Sequence, residues 1–326
     1  MNKVQSQIIA RLVEAIRERD RFLIATHIRP DGDAVGSLLA ITFILRALGK
    51  RADPFIEDPV PPDCLFLPGA QGVLQERPNP SLYDAAVMVD CGELSRVGTT
   101  LADAISEIPF LINIDHHATS RPFGDVFWLE VSASSTCEML YHLCAGIPLL
   151  FDSDIATQIY TGMLTDTGSF RFSNTNQRVL EIAARLATAG AKPDYIAQQV
   201  YDSVPPQKLH LLARVLSTLL FHSENRIATA EISLAMFAET AASPSDAEGF
   251  INHLRSVRSV EIAVLFREES DSLVHVSLRS KGEADVSLFA RQHGGGGHRN
   301  AAACRVAGPL NDVRTRLTRQ AMDCIR

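Results

Sequence analysis

The sequence predicts an α/β protein of two domains: an N-terminal domain with a mostly parallel sheet flanked by helices, and a smaller C-terminal α/β domain with a mixed sheet. Three observations predict it. Short, wholly apolar runs recur in the first half, as they do in strands buried on both faces of a parallel sheet. A polar turn and then a helical pattern follow the first of them, Phe22-Leu23-Ile24-Ala25, giving the order strand, turn, helix. The length of 326 residues exceeds one typical domain, and the second half changes to more closely spaced strands.

Taken in order, residues 5–19 form an amphipathic helix with Ile8, Ile9, Leu12, Val13 and Ile16 on one face. After the strand Phe22–Ala25 comes Thr26–Asp33, a turn because Pro30 and Gly32 interrupt regular structure. A helix from Ala34 to Leu48 follows and stops at Gly49. His27, Asp31 and Asp33 all fall in that one turn. Helix N-capping explains one aspartate; a second acid and a histidine beside it point to metal ligation. Ala85–Val89 is a second buried strand, closed by Asp90, and Phe110–Ile114 a third, leading into Asp115-His116-His117. The carboxyl ends of such strands are where open α/β sheets bind ligands. By itself the triplet fits a buried, hydrogen-bonded histidine pair equally well. Ile159–Thr165 delivers Asp166-Thr167-Gly168 in the same kind of place. So many carboxylates and imidazoles in one cavity would repel or desolvate badly without cations between them. Two divalent metals about 3.5–4 Å apart, sharing a bridging carboxylate, would satisfy them all. Ser134-Ser135-Thr136 with Glu138 fits a capping box and is read as structural. Tyr83, Trp128 and Tyr141 are read as core.

A helical pattern spans 176–189 and ends at Gly190, a short helix starts at Lys192-Pro193-Asp194, and Ser203–Pro206 breaks the chain. This places the catalytic domain at 1–190, a linker and connector helix at 191–220, and the second domain at 221–326. The second domain reads as strand 226–232, helix 245–255, strands 260–266 and 273–278, and helices 285–292 and 311–322. Its informative stretch is His293-Gly294-Gly295-Gly296-Gly297-His298. A flexible loop is one reading; a nest of backbone N–H groups for an anion is the other. Arg279, at the end of a neighbouring strand, suits bidentate pairing with phosphate.

Composition limits the partners. Apolar residues at 46% and charged residues at 21% describe a soluble globular protein. No stretch approaches the roughly 20 apolar residues of a membrane span, and Met1–Gln5 opens no signal-peptide pattern. The six cysteines show no zinc spacing and are expected to be reduced, in a cytoplasmic protein. A net charge of −7 argues against holding long duplex nucleic acid, which requires a basic surface.

The set His27-x-x-Pro30-Asp31-x-Asp33, Asp90, Asp115-His116-His117 and Asp166-Thr167-Gly168 resembles the four motifs of the DHH phosphoesterase superfamily, in order and without substitution. The glycine run and Arg279-Ser280 resemble its DHHA1 domain. Two departures are His293, where an apolar residue is expected, and Ala303-Cys304, where a glycine is usual. The resemblance implies one metal held by His27, Asp31 and Asp90 and another by Asp33, Asp90, His116 and Asp166, with Asp90 bridging. It implies that Asp115 orients an imidazole and that His117 faces the substrate phosphate. Arg279, Ser280, Gly295, Gly296, Gly297 and His298 would then bind the rest of the substrate. Imidazole ligands favour Mn2+ over Mg2+, with Co2+ as a further substitute. The implied enzyme is a cytoplasmic, homodimeric nanoRNase and pAp phosphatase acting on short RNA, linear dinucleotides such as pGpG or pApA, and pAp. A cyclic di-AMP phosphodiesterase, a RecJ-like exonuclease and an inactive nucleotide-binding module are the alternatives.

Overall fold

In the computed structural model, which describes residues 3–147 and 152–323, the chain divides between Ser203 and Val204 into two compact units. The side chains of Lys3, Val4, His298 and Asp323 lie outside the described residues, as does Cys324.

The first unit runs α1 (Lys3–Arg17), β1 (Arg21–Ala25), α2 (Gly32–Ala47), β2 (Arg51–Phe55), β3 (Ala85–Val89), α3 (Thr99–Ser106), β4 (Leu111–Asp115), β5 (Val126–Leu129), α4 (Thr136–Ala145), α5 (Ser153–Asp166), α6 (Gln177–Thr188) and α7 (Pro193–Tyr201). Its five strands are parallel, in the order β2-β1-β3-β4-β5. Phe22, Ile24, Val87 and Val89 enter one apolar core, while Leu23, Ala25, Ala86 and Met88 enter another. Cover on both faces is why these strands are apolar throughout rather than alternating. The strand order turns back between β1 and β3, the switch point at whose carboxyl ends open α/β sheets bind ligands. His27 and Asp31 follow β1, and Asp90 follows β3.

Four local features differ from expectation. Helix α2 begins at Gly32 rather than Ala34, because the Asp31 carboxylate accepts the amides of Asp33 and Ala34 at 3.1 and 3.0 Å and caps it. Strand β2 carries Asp53 and Pro54, which read against a strand, but it lies at the sheet edge where proline is tolerated. Strand β5 is a second unforeseen edge, only 4 residues long, and buries Trp128. Residues 159–165 are the latter half of helix α5, so Asp166 comes from a helix end and not from the rim of the sheet.

The second unit runs α8 (Pro206–Ser217), β6 (Leu220–His222), β7 (Ile227–Ile232), α9 (Leu234–Thr240), α10 (Phe250–Ser256), β8 (Ile262–Ser270), β9 (Leu273–Ser280), α11 (Val286–Gln292), β10 (Gly296–His298), β11 (Ala301–Ala307) and α12 (Leu310–Asp323). Its six-stranded mixed sheet has the order β10-β11-β9-β8-β7-β6, with β7 and β8 parallel and the other pairs antiparallel. The stretch 191–220 is shared out: α7 belongs to the first unit, α8 to the second, and Leu220 starts a strand. Gly249, at a φ of +84°, interrupts the helix expected over 245–255, so α10 starts at Phe250. No helix among the described residues is long and apolar enough to cross a membrane.

Candidate metal centre

The carboxyl ends of β1, β3 and β4, the first turn of α2 and the last residue of α5 converge. Donor atoms of His27, Asp31 and Asp90 lie within 4.8 Å of one another, as do those of Asp33, His116 and Asp166, and those of Asp90, His116 and His117. Asp90 lies at the middle: its oxygens are 3.5 Å from His27 Nε2, 3.6 Å from His116 Nε2 and 3.6 Å from His117 Nδ1. It adopts a φ of +55°, a left-handed conformation that aspartate tolerates better than most residues. His116 Nε2 also stands 3.4 Å from Asp166 Oδ2 and 4.0 Å from Asp33 Oδ2.

Main-chain carbonyls orient two of the imidazoles. His27 Nδ1 faces the Ile28 carbonyl at 2.9 Å and His116 Nδ1 the Ala133 carbonyl at 3.4 Å, which assigns the proton to Nδ1 and directs Nε2 into the cluster. His117 is held differently. Its Nδ1 lies 2.7 Å from Asp115 Oδ1, while Ser120 donates its hydroxyl to the other Asp115 oxygen. His117 therefore approaches Asp90 through a nitrogen already committed to Asp115.

The electrostatics favour cations. Burial, together with Asp90, Asp166 and Asp31, raises the Asp33 carboxyl well above the carboxylate range. Burial, Asp90 and Asp31 likewise push Asp166 up to about 8, and its place at the C-terminus of α5 is unfavourable for an anion. Asp90 is buried too, yet a hydrogen bond from His27 and the charges of His116 and His117 hold it well below its ordinary value. Burial opposes the His117 imidazolium, but Asp115, Asp90 and Asp166 overcome it and raise its pKa to about 9. Four carboxylates, Asp31, Asp33, Asp90 and Asp166, set among imidazoles with nitrogen and oxygen donors turned inward, fit divalent cations of the manganese, zinc or iron type.

Residues with no sequence signal of function complete the cluster. The Thr136 and Cys137 amides, in the first turn of α4, donate to the two Asp33 oxygens at 2.7 and 3.0 Å. The Thr136 hydroxyl donates to Asp90 Oδ1 at 3.0 Å. The Ser134–Glu138 stretch does cap α4, with Ser135 accepting the Glu138 amide at 3.0 Å, but that helix start also grips two site carboxylates. Asn174 Nδ2 donates to the Asp166 carbonyl at 3.2 Å. Gly162 lets α5 approach: a β-carbon there would lie 2.3 Å from Cys137 Sγ and 2.6 Å from Asp33 Oδ1.

In the second unit, Arg279 forms no ion pair among the described residues, and its Nη1 donates to the Leu278 carbonyl at 3.0 Å. Burial and the nearby Arg255 lower its pKa. Ser280 is 2% exposed, and its hydroxyl bonds to the Ala284 carbonyl at 2.8 Å and accepts from Asn300 at 3.0 Å, so it braces the loop. The glycine run is not a nest of four free N–H groups. Gly294 and Gly295 donate to the Arg291 and Ala290 carbonyls and close α11, and Gly296–His298 pairs with Ala301–Ala303. Gly295 and Gly297 are required by close approach, since a β-carbon would fall 2.1 Å from the Ala303 carbonyl oxygen and 2.4 Å from that of Ala301. The register puts His298, Ala301, Arg279 and Ala263 in one row.

Known proteins are similar to this chain over most of its length. The DHH family N-terminal domain matches residues 21–163, and the DHHA1 domain matches residues 225–323. The chain is 34% identical over 324 residues to the bifunctional oligoribonuclease and PAP phosphatase NrnA of Thermus thermophilus, covering 96% of this chain and 94% of that protein. The crystal structure of an exopolyphosphatase-related protein from Bacteroides fragilis matches with a TM-score of 0.93 at 26% identity, over 99% of this chain and 98% of that one. RecJ of Thermus thermophilus, solved in complex with Mn2+, shares the fold with a TM-score of 0.58 at 14% identity, over 98% of this chain and 55% of that one. Two domain matches in order, 34% identity to a relative over nearly the whole of both chains, and the converging His/Asp cluster place the chain in the DHH/DHHA1 phosphoesterase family.

Proposed function

We propose that the protein is a manganese-dependent phosphoesterase that hydrolyses short RNA oligonucleotides and linear dinucleotides to mononucleotides and dephosphorylates pAp. The observation that carries this reading is the gathering of His27, Asp31, Asp33, Asp90, His116 and Asp166 into groups that meet at Asp90 and His116. It is supported by the likeness to a relative named as an oligoribonuclease and PAP phosphatase.

His27, Asp31 and Asp90 would hold one divalent ion, and Asp33, Asp90, His116 and Asp166 the other. Bound there, such ions supply Lewis-acid neutralisation of phosphoryl charge and acidify water. The chain's own residues orient and position. Asp115 fixes the His117 ring, which offers positive charge to a phosphoryl oxygen. The α4 amides and the Thr136 hydroxyl keep Asp33 and Asp90 in place. Arg279, half-buried and without a carboxylate partner among the described residues, is the anion contact of the second unit. Mixed imidazole and carboxylate ligation favours manganese over magnesium, and the net charge of −7 favours short substrates over long ones.

The test is hydrolysis of a 5′-labelled RNA dinucleotide with Mn2+, alongside pAp, cyclic di-AMP and an RNA of about two dozen nucleotides. Rapid release of mononucleotide with the long RNA nearly untouched is expected, as is loss of turnover in Asp90→Asn with an unchanged circular-dichroism spectrum. Faster cleavage of cyclic di-AMP than of the dinucleotide would replace this reading with a signalling phosphodiesterase. No turnover of any of these substrates would end it.

A further inference from the structure

We infer that Ser120 is a positioning residue for the reaction: through Asp115 it sets the His117 ring for the phosphoryl group. This rests on the proposal that His117 offers charge to a phosphoryl oxygen. Asp115 ends β4 with its side chain wholly buried, so each of its oxygens needs a donor from the protein. Oδ1 lies 2.7 Å from His117 Nδ1 and accepts the His117 amide at 3.4 Å. Oδ2 has one donor among the described residues, the Ser120 hydroxyl. A hydrogen bond to a buried carboxylate is one of the stronger kinds, and losing its donor leaves a desolvated charge. With Oδ2 bare, the carboxylate is free to turn about its last torsion, which is soft. The imidazole it carries then has a competing acceptor, Asp90 Oδ1, 3.6 Å from the same nitrogen. Ser120 thus decides which carboxylate His117 follows.

Two segments fix the serine in place. Its amide donates to the His117 carbonyl at 3.1 Å, a turn that brings position 120 back beside position 115. Gly92 lies against it from the segment after β3: a β-carbon there would fall 2.5 Å from Ser120 Oγ and 3.4 Å from Ser120 Cα and Cβ. Gly92 is itself tied down. Its carbonyl accepts the Arg121 amide at 3.4 Å, and the carbonyl of Cys91 accepts from Asn113 Nδ2, on β4, at 2.9 Å. Cys91 and Asn113 are fully buried. The φ of Gly92 lies outside the left-handed region, so glycine is required there by the space that the serine fills. The segment after Asp90 and the turn after His117 therefore lock together, and the hydroxyl at their contact is the one that reaches Asp115.

The experiment compares full-length wild type, Ser120→Ala and Gly92→Ala. The second variant keeps the serine and crowds its hydroxyl off Asp115. In steady-state hydrolysis of an RNA dinucleotide with Mn2+, both variants are expected to lower kcat by roughly 10- to 100-fold. KM and the manganese titration should stay within about two-fold of wild type. A second readout needs no turnover. A proton held between His117 Nδ1 and a buried carboxylate gives a far-downfield proton NMR line, assigned by its loss in His117→Asn. In protein loaded with diamagnetic Mg2+, that line is expected to shift or vanish in Ser120→Ala. Wild-type kcat in Ser120→Ala overturns the inference. So does a fall in kcat with the line unmoved, or one matched by an equal loss of manganese affinity, since either makes Ser120 a brace for the cluster as a whole. Failure of the wild type to hydrolyse any nucleotide ester overturns the substrate reading and requires no variant to see; the NMR line still decides whether Ser120 sets His117.

Discussion

Three imidazoles and the Thr136 hydroxyl face the two oxygens of Asp90. Thr136 is fully buried, so its hydroxyl has no water to replace a lost partner. Thr136→Val keeps the shape and deletes the donor. We expect it to weaken manganese affinity or turnover about 10- to 100-fold, as loss of a partner behind a metal ligand does, while Thr136→Ser stays near wild type. An unchanged manganese titration in the valine variant would show that the bond to Asp90 is incidental. Asp90 is legible in the sequence because it ends an apolar run. Thr136 is not, because the same residues make a sufficient helix start without any ligand.

Helices α2 and α5 bring Asp33 and Asp166 into one cluster, and small residues let them do it. A β-carbon on Gly36 would lie 2.7 Å from the Gln158 carbonyl oxygen, and one on Gly162 would press on Cys137 and Asp33. For Gly162→Ala two effects compete. Helix propensity favours alanine by about 1 kcal/mol, and forcing a methyl group into a packed interface costs about 1–3 kcal/mol. The overlap involves a fully buried cysteine and a carboxylate held by two backbone amides, so relief is limited and the steric cost should win. A lower melting temperature and weaker manganese binding are expected. A variant that melts above wild type would mean that the helices separate easily.

For the molecule as a whole, charge in the metal-free cluster links stability to pH. Asp166 is raised from 3.8 to about 8 and His117 from 6.5 to about 9. A group raised on folding stabilises fully below its unfolded value and loses that contribution as pH climbs through its folded value. The Asp166 shift therefore predicts stability of the metal-free protein falling from pH 3.8 to about 8 and the His117 shift from pH 6.5 to about 9, so that it falls throughout the range from pH 6.5 to 9. Asp90 is shifted the other way and acts only on the acid side. Divalent cations replace the proton at the carboxylates, so added Mn2+ should raise the melting temperature more at pH 8 than at pH 6. Thermal melts across this range, in chelator and in Mn2+, check both statements. A melting temperature in chelator that is flat or rising from pH 6.5 to 9 would contradict the charge balance described for the cluster.

The sequence by itself determined the fold class, the strands β1, β3 and β4, and the identity of every Asp and His in the cluster. It could do so because a buried parallel strand must be apolar along its whole length, so the polar residue that ends it stands out. Only the tertiary structure decided that Asp166 arrives on a helix, that Asp31 caps α2 while facing His27, and that α4 points its first amides at Asp33. It also decided that Ser280 and two of the glycine amides are spent inside the second unit. These are matters of which partner a polar group meets across more than 100 positions of chain in the case of Asp33 and Thr136. Local pattern records that a carboxylate or an amide is present; packing alone selects the group that satisfies it.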